Sequence, residues 1–447
     1  MRTKKLYIHT FGCQMNVQDS EKMGTVLKDS GYEMTEKAEN ADLILVNTCS
    51  IREKAAQKVY SQLGRFRALK ADNPRLVIGV GGCLAQHLGN DLFHRAPYVD
   101  LVFGTHNIHR LPEMISALEG GREKIAETVF LDHVHSLEMS ATPLAGAIST
   151  FVTIMQGCNN FCAYCVVPHL RGREESRPLT DIVREVEHLA AGGIREVTLL
   201  GQNVNSYGMA SGKGSDFADL IHAIDGIAGI ERIRFTTSHP KDLSQRLIGC
   251  FGEAASLCEH IHLPLQSGSD RVLKRMNRGY TTEAYMQKIA DLRHACPRIS
   301  ITSDVIVGFP GEGEEDFRAT LAFMEEIRFD NLFSFQYSTR EGTAAAGMDG
   351  RVCAKEKRER LQILQALQAE HTVQKNREMV GRLESVLVEG PSKIGDRDMT
   401  GRTRGNRIVN FPGNAGLTGK TVDVRITEAF MHSLRGQLEE RGREYVH

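Results

Sequence analysis

The chain is 447 residues long, 41% apolar and 25% charged, with a formal net charge of −1. That balance excludes a disordered or collagen-like chain, and the length exceeds one ordinary domain, so two or three domains are expected. The start MRTKKLYIHTFGC lacks the apolar segment of a signal peptide. No run approaches the roughly 18 apolar residues of a membrane span, so the expectation is a cytoplasmic protein with no membrane partner.

The first 120 residues alternate strand and helix. KKLYIHTFG, ADLILVN, RLVIGVGG and VDLVFG read as buried strands, and SEKMGTVLKDSG, REKAAQKVYSQLGRFRALKADN and HRLPEMISALEG as helices. Continuous apolar strands joined by helices predict an α/β domain, a doubly wound parallel sheet over residues 1–120. Residues 121–148 read as an irregular linker. A second βα series follows over residues 149–376. Its strands are FVTIM, EVTLL, RIRFTT, HIHLPL, SITSDVIVG and NLFSF, closed off by the connector helix KEKRERLQILQALQAEHTVQKNREMVG. Six repeats fall short of the eight of a closed barrel, so a partial (β/α)6 barrel is expected, with its chemistry at the C-terminal strand ends. Over residues 377–447, LESVLVE, NRIVNF and KTVDVRI predict a small antiparallel β-barrel of OB-like size. From Arg351 onward 18 Lys and Arg face 13 Asp and Glu, a basic bias that suits a polyanion.

Ten cysteines in a reducing compartment argue against structural disulfides. Cys250, Cys258, Cys296 and Cys353 lie in helix-like sequence and read as packing residues. Cys158, Cys162 and Cys165 share one loop after the first barrel strand. Structural zinc asks for four closed ligands in separated pairs, and no second pair lies near. A cubane iron–sulfur cluster takes one thiolate per iron, and three thiolates leave one iron open for a small molecule. Cys13, Cys49 and Cys83 are distant in sequence, yet each lies just past a strand of the first sheet. Parallel strands end on one edge, so these three thiols can converge there too. Gly12, Gly81 and Gly82 would let backbone approach a bulky group closely.

The Cys-x3-Cys-x2-Cys spacing, with aromatic Tyr164 before the last thiol, resembles the radical S-adenosylmethionine (SAM) superfamily. Within it, GCNNFCAYCVVPHLRGREESRP resembles the methylthiotransferases, and the resemblance spans nearly the whole chain. It implies that Cys158, Cys162 and Cys165 hold a [4Fe-4S] cluster whose open iron chelates SAM. It also implies an auxiliary [4Fe-4S] cluster on Cys13, Cys49 and Cys83 that carries the inserted sulfur, and it makes all six thiols catalytic. Tyr164 is expected near the adenine of SAM. Gln202, Asn203, Ser238, Gln266 and Asp304 are further SAM candidates, beside His239, Ser267 and Ser269 at the same strand ends. Arg173 is the SAM candidate of the run holding Arg171 and Arg177. The last domain looks like a TRAM-type RNA-binding barrel, in which DRDMTGRTRGNRIVNF places Arg397, Arg402, Arg404 and Arg407 around a turn. Arg402, Arg404 and Arg407 are the RNA-contact candidates and Phe411 the stacking one.

Three substrates compete within the resemblance: a ribosomal-protein aspartate, threonylcarbamoyladenosine in tRNA, and N6-isopentenyladenosine beside the tRNA anticodon. TTSHPKDL, HIHLPLQSGSDRVLKRMNRGYT and GRTRGNRIVNFPG fit the third best. Implied with it are a low-potential electron donor, a sulfur donor or cluster-repair protein, and a monomeric enzyme. A zinc-stabilised RNA-binding protein without catalysis is the alternative of a different class, and two open thiol triads argue against it.

Overall fold

The apolar runs of the N-terminal third form one six-stranded sheet in the computed structural model, which describes residues 3–49, 53–139, 143, 146–209, 214–393, 395 and 397–439. Its strands are β1 (Lys4–Thr10), β2 (Tyr32–Met34), β3 (Leu43–Thr48), β4 (Val77–Gly82), β5 (Leu101–Phe103) and β6 (Ile125–Glu127), in the order β2-β1-β3-β4-β5-β6 and all parallel. All six residues of β3 are buried. Leu43 and Leu45 pack with Met23, Leu27 and Leu111 on one face, and Ile44 and Val46 with Val59, Leu63 and Phe66 on the other. Helices α1 (Gln14–Asp29) and α5 (Leu111–Glu119) therefore cover one face. The other carries α2 (Glu53–Asp72) and α3 (Cys83–Leu88), with α4 (Asp91–Arg95) after them. From β1 the chain turns to β2 on one side and then to β3 on the other. That makes the C-terminal gap between β1 and β3 the switch point where such sheets hold ligands. β2 escaped the sequence reading because it is only three residues long. β6 falls in the expected linker, so the first unit runs to Glu127 rather than residue 120.

The second unit holds six parallel strands: β7 (Ser149–Thr153), β10 (Glu196–Leu200), β11 (Arg232–Phe235), β12 (His260–His262), β13 (Ser300–Val307) and β14 (Asn331–Gln336). A short antiparallel pair, β8 (Met155–Gln156) and β9 (Glu175–Ser176), intervenes, carrying helix α6 (Val167–Arg171) between its strands. Helices α7 (Leu179–Ala191), α8 (Phe217–Asp225), α9 (Gln245–Glu253), α10 (Asp270–Arg275), α11 (Thr282–Ala295) and α12 (Glu314–Ile327) wrap the outside. The strands form two three-stranded halves, β7-β10-β11 and β12-β13-β14, stitched by a bridge between Ile233 and Leu257. The barrel is open between β7 and β14, and α1 of the first unit packs against β7.

Helix α13 (Ala354–Arg377) buries a mainly polar stripe, Arg360, Leu364, Gln368, His371, Thr372 and Asn376, so the connector helix is a hydrogen-bonded seam. Gln368 donates to the Phe329 carbonyl, Thr372 to that of Asp330 and Asn376 to that of Phe430. Beyond it lies a closed barrel of β15 (Leu383–Pro391), β16 (Asp398–Thr403), β17 (Ile408–Pro412), β18 (Thr421–Ala429) and β19 (Leu434–Leu438), in the order β15-β16-β17-β19-β18. This is a five-stranded Greek-key barrel, antiparallel except where β17 and β19 run parallel to close it. Phe411, expected to stack on bases, is fully buried in its core. Among the described residues no helix is long and apolar enough to cross a membrane.

Candidate active site

The first thiol triad sits on the switch-point edge. Cys13 caps α1 after β1, Cys49 follows β3, and Cys83 opens α3 after β4, so the three come from neighbouring strands. Asn16, fully buried, braces the two loops by donating to the carbonyls of Phe11 (2.9 Å) and Thr48 (3.0 Å). Asn47 returns a bond to the Asn16 carbonyl at 2.8 Å. Gly12 has φ +129°, and a Cβ there would stand 2.7 Å from Cys49 Cβ. Only glycine allows the two thiol loops to touch.

The second triad follows the barrel's first strand. Its loop is tied down by Gly157 N–H donating to Gln202 Oε1 at 2.7 Å, Ala163 N–H to the Met276 carbonyl at 2.9 Å, and Cys165 N–H to the Cys162 carbonyl at 2.9 Å. Burial pushes the Cys158 thiol up to about 11 and the Cys165 thiol up to about 12. A structural zinc takes four closed ligands, whereas each triad offers three free thiols, one for each of three irons of a cubane cluster with the fourth left open, so the donor sets fit iron–sulfur clusters better than lone ions.

Burial lowers the His239 ring to about 2, so it is neutral. Its Nδ1 accepts from Lys241 N–H at 3.2 Å, which leaves the proton on Nε2, 3.8 Å from Cys162 Sγ. Around the same mouth, Gln156 Nε2, Glu174 Oε1, Asn203 Oδ1, Asn205 Oδ1, Ser238 Oγ and Gln266 Oε1 are buried without a hydrogen-bond partner. Buried polar groups are rarely left so, and a ligand with several donors and acceptors, as SAM has, would satisfy them. Backbone strain gathers there as well. Phe161, Thr237, Gln266 and Asn277 all have positive φ, which is uncommon outside glycine and clusters at working sites.

The remaining candidates divide. Tyr164 packs edge-on to Phe309 with ring centroids 6.5 Å apart, and Asp304 lies on β13 with Oδ1 3.5 Å from His262 Nε2. Arg173 is exposed. Ser267 and Ser269 are structural: Ser269 caps α10 and donates to Asp316, and Ser267 bonds Thr320. Arg177 is held by Glu185 and the Thr153 carbonyl. Arg402 lies in β16 rather than on a turn and pairs with Glu389. Arg404 and Arg407 are turned inward onto the central barrel. Arg404 bonds Glu259 and the carbonyls of Ala255 and Leu257, and Arg407 bonds Asp330, Asn376 and Ser300.

Arg171 leads from the second triad toward the first. It ends the short helix α6 that follows the loop of Cys158, Cys162 and Cys165, so about 6 Å of helical rise over Val167–Arg171 and one side chain lead from that loop toward the first triad. Its Nη2 donates to Asn16 Oδ1 at 3.1 Å and Asp19 Oδ2 at 2.7 Å, while Nη1 is buried without a partner. Burial opposes its charge, but the Asp19 carboxylate holds it protonated. In turn, burial raises the Cys83 thiol and the Arg171 charge draws it partly back. A cavity of about 930 Å³ opens from Cys13 and Cys49, passes His262, Asp304 and Phe333, and reaches Arg402 and Arg407. Arg171 and His239 stand in loops that the sequence marks, but their own pattern does not set them beside the thiols, and nothing in the sequence marks Asn16.

The chain matches family models described as Uncharacterized protein family UPF0004 over residues 5–104, the Radical SAM superfamily over 152–324 and the TRAM domain over 377–438. The tRNA-2-methylthio-N(6)-dimethylallyladenosine synthase of Syntrophus aciditrophicus is 59% identical over 435 residues, 97% of this chain and 94% of that protein. The protein of the same name from Geobacter metallireducens is 56% identical over 436 residues, 97% of this chain and 98% of that protein. Among solved structures, the radical SAM methyltransferase TsrM of Kitasatospora setae has a TM-score of 0.58 at 16% identity, covering 77% of this chain and 75% of that one. That likeness is one of fold alone.

Proposed function

The chain belongs to the family of tRNA-2-methylthio-N(6)-dimethylallyladenosine synthases, within the radical SAM superfamily, and from that membership we propose that it adds a methylthio group to C2 of N6-isopentenyladenosine beside the tRNA anticodon. The observation that carries the reading is the pair of three-thiol sets, each at the C-terminal edge of a parallel sheet, with Arg171, at the end of the helix that follows the second, bonded beside the first. The barrel loop would hold one [4Fe-4S] cluster with SAM on its open iron, and Cys13, Cys49 and Cys83 a second. When bound, these groups supply a methyl group, a sulfur atom and a 5′-deoxyadenosyl radical.

The protein's part is placement and exclusion of water. Asn203, Ser238 and Gln266 would meet SAM through atoms that otherwise lack partners. Arg171 Nη1 would donate to the sulfur-bearing group at the first triad. The base would leave its neighbours to enter the cavity beside Cys13 and Cys49, and an anticodon loop, being single-stranded, pays only part of the few kcal/mol that unstacking costs. The C-terminal barrel would hold the RNA backbone, and an external reductant and a sulfur source would complete the cycle.

The deciding experiment is mass spectrometry of nucleosides from isopentenylated tRNA incubated anaerobically with cluster-loaded protein, SAM and a strong reductant. A methylthio adduct on the adenosine is expected. 5′-Deoxyadenosine without an adduct would move the substrate to threonylcarbamoyladenosine or a protein aspartate. Bound iron and sulfide with neither product would remove the radical reading.

A further inference from the structure

Six arginines are buried among the described residues: Arg171, Arg177, Arg232, Arg234, Arg278 and Arg360. Four of them pair with carboxylates, through Asp19, Glu185, Glu196 and Glu312 respectively for Arg171, Arg177, Arg234 and Arg360. Arg232 docks the C-terminal barrel by donating to the carbonyls of Arg402 and Ser385. Arg278 does neither. It lies between α10 and α11, 4% exposed, and spends its donors on Tyr280 Oη (3.2 Å), the Pro264 carbonyl (2.9 Å), Tyr164 Oη (3.5 Å) and Cys162 Sγ (3.3 Å).

Asp242, a carboxylate of the surrounding loops, is already taken by Asn160, Asn203 and Lys241. His239 lies on another side of the same sulfur, its Nε2 3.8 Å away. A buried guanidinium without a counter-charge costs several kcal/mol. The only group in its hydrogen-bond shell that can carry a full negative charge near neutral pH, once a metal binds, is the Cys162 thiolate.

We propose that Arg278 is a positioning residue that gives the Cys162 thiolate its counter-charge and a hydrogen bond, and so raises the reduction potential of the cluster on Cys158, Cys162 and Cys165. The inference rests on the proposed reading of that loop as a SAM-binding cluster site. One electron added to the cluster adds one negative charge, and a fixed cation at van der Waals range of a ligating sulfur favours that state. Cys158 and Cys165 accept no arginine hydrogen bond among the described residues, so the hydrogen bond falls on one ligand of the cluster while the charge also reaches Cys165.

The test is the midpoint potential of the SAM-responsive electron paramagnetic resonance signal in full-length, cluster-loaded protein, for wild type, R278K and R278M. Replacement by Met should make reduction about tenfold harder, a fall of about 59 mV for a one-electron couple, and Lys should recover most of it. Equal potentials in all three would overturn the proposal. If R278M retains no cluster, R278K and R278Q carry the comparison. Iron retention lost only in the Gln variant supports charge compensation, and equal retention and potential in both sinks it. A wild-type protein with no SAM-responsive signal at all would instead overturn the proposed function, independently of Arg278.

Discussion

At the scale of single residues, burial sets the protonation of the thiols and hence the conditions for loading them. Cys83, Cys158 and Cys165 are all raised by burial, the last two to about 11 and 12. Near neutral pH each therefore holds a proton that a metal must displace, because thiolate and not thiol is the ligand. Each such thiol contributes about a tenfold change in apparent affinity per pH unit, so loading should strengthen steeply as pH rises and weaken as it falls. Iron retention against a chelator at several pH values, corrected for the chelator's own titration, measures this, and a flat profile would contradict it. The two triads should also separate by mutation. Replacing Cys158, Cys162 or Cys165 with Ala should abolish 5′-deoxyadenosine formation. The same change at Cys13, Cys49 or Cys83 should spare part of it and abolish methylthiolation. Equal loss of SAM cleavage from both sets would dissolve the division of labour.

At the scale of elements, the thiol loops work because strand ends and glycine geometry bring distant chain segments into contact. Gly12 is the sharpest case. A Cβ there meets Cys49 Cβ at 2.7 Å, and φ +129° disfavours any side chain. Gly12→Ala should therefore push apart the loops after β1 and β3 and lose the first cluster, leaving about four of eight irons. SAM cleavage at the barrel loop should persist. Iron and acid-labile sulfide assays with 5′-deoxyadenosine quantification check both halves, and full iron content would refute the argument. These loops could be placed from sequence because β3 and β4 are apolar runs and β1 carries Leu6, Tyr7 and Ile8, and each strand is followed by a cysteine, with glycine beside it after β1 and at the end of β4. β2 and β6 are three residues long, β16 is polar enough to pass for a basic turn, and β19 is a short LRGQL; none of these carries a period long enough to read. Asn16, Arg171 and Arg278 lie beyond sequence reasoning for another reason. Their deciding partners lie up to 155 positions away, and only the fold brings them together.

At the scale of the whole molecule, the basic β16–β17 segment is a joint between domains. Arg232 and Arg234 of β11 donate to the carbonyls of Arg402, Thr403 and Arg404, while Arg404 and Arg407 reach back to Glu259 and Asp330. The resemblance to an RNA-binding barrel assigned these arginines to RNA, since nothing in a sequence shows that a basic residue faces an acid on another domain. Arg402 and Arg407 line the far end of the cavity, so any RNA they meet lies inside that joint rather than on an open face. The exposed Arg397 is placed differently. Its replacement by Ala should lower the slope of log affinity for tRNA against log salt by about 1. Replacing Arg404 with Ala should instead leave that slope nearly unchanged. It should accelerate hydrogen exchange in β11 and β16, because Glu259 and two carbonyls lose their donor and the two barrels are less firmly held. If Arg404→Ala lowers the slope as Arg397→Ala does while exchange is unaltered, the residue is spent on phosphate and the joint is held by Arg232, Arg234 and Arg407 alone.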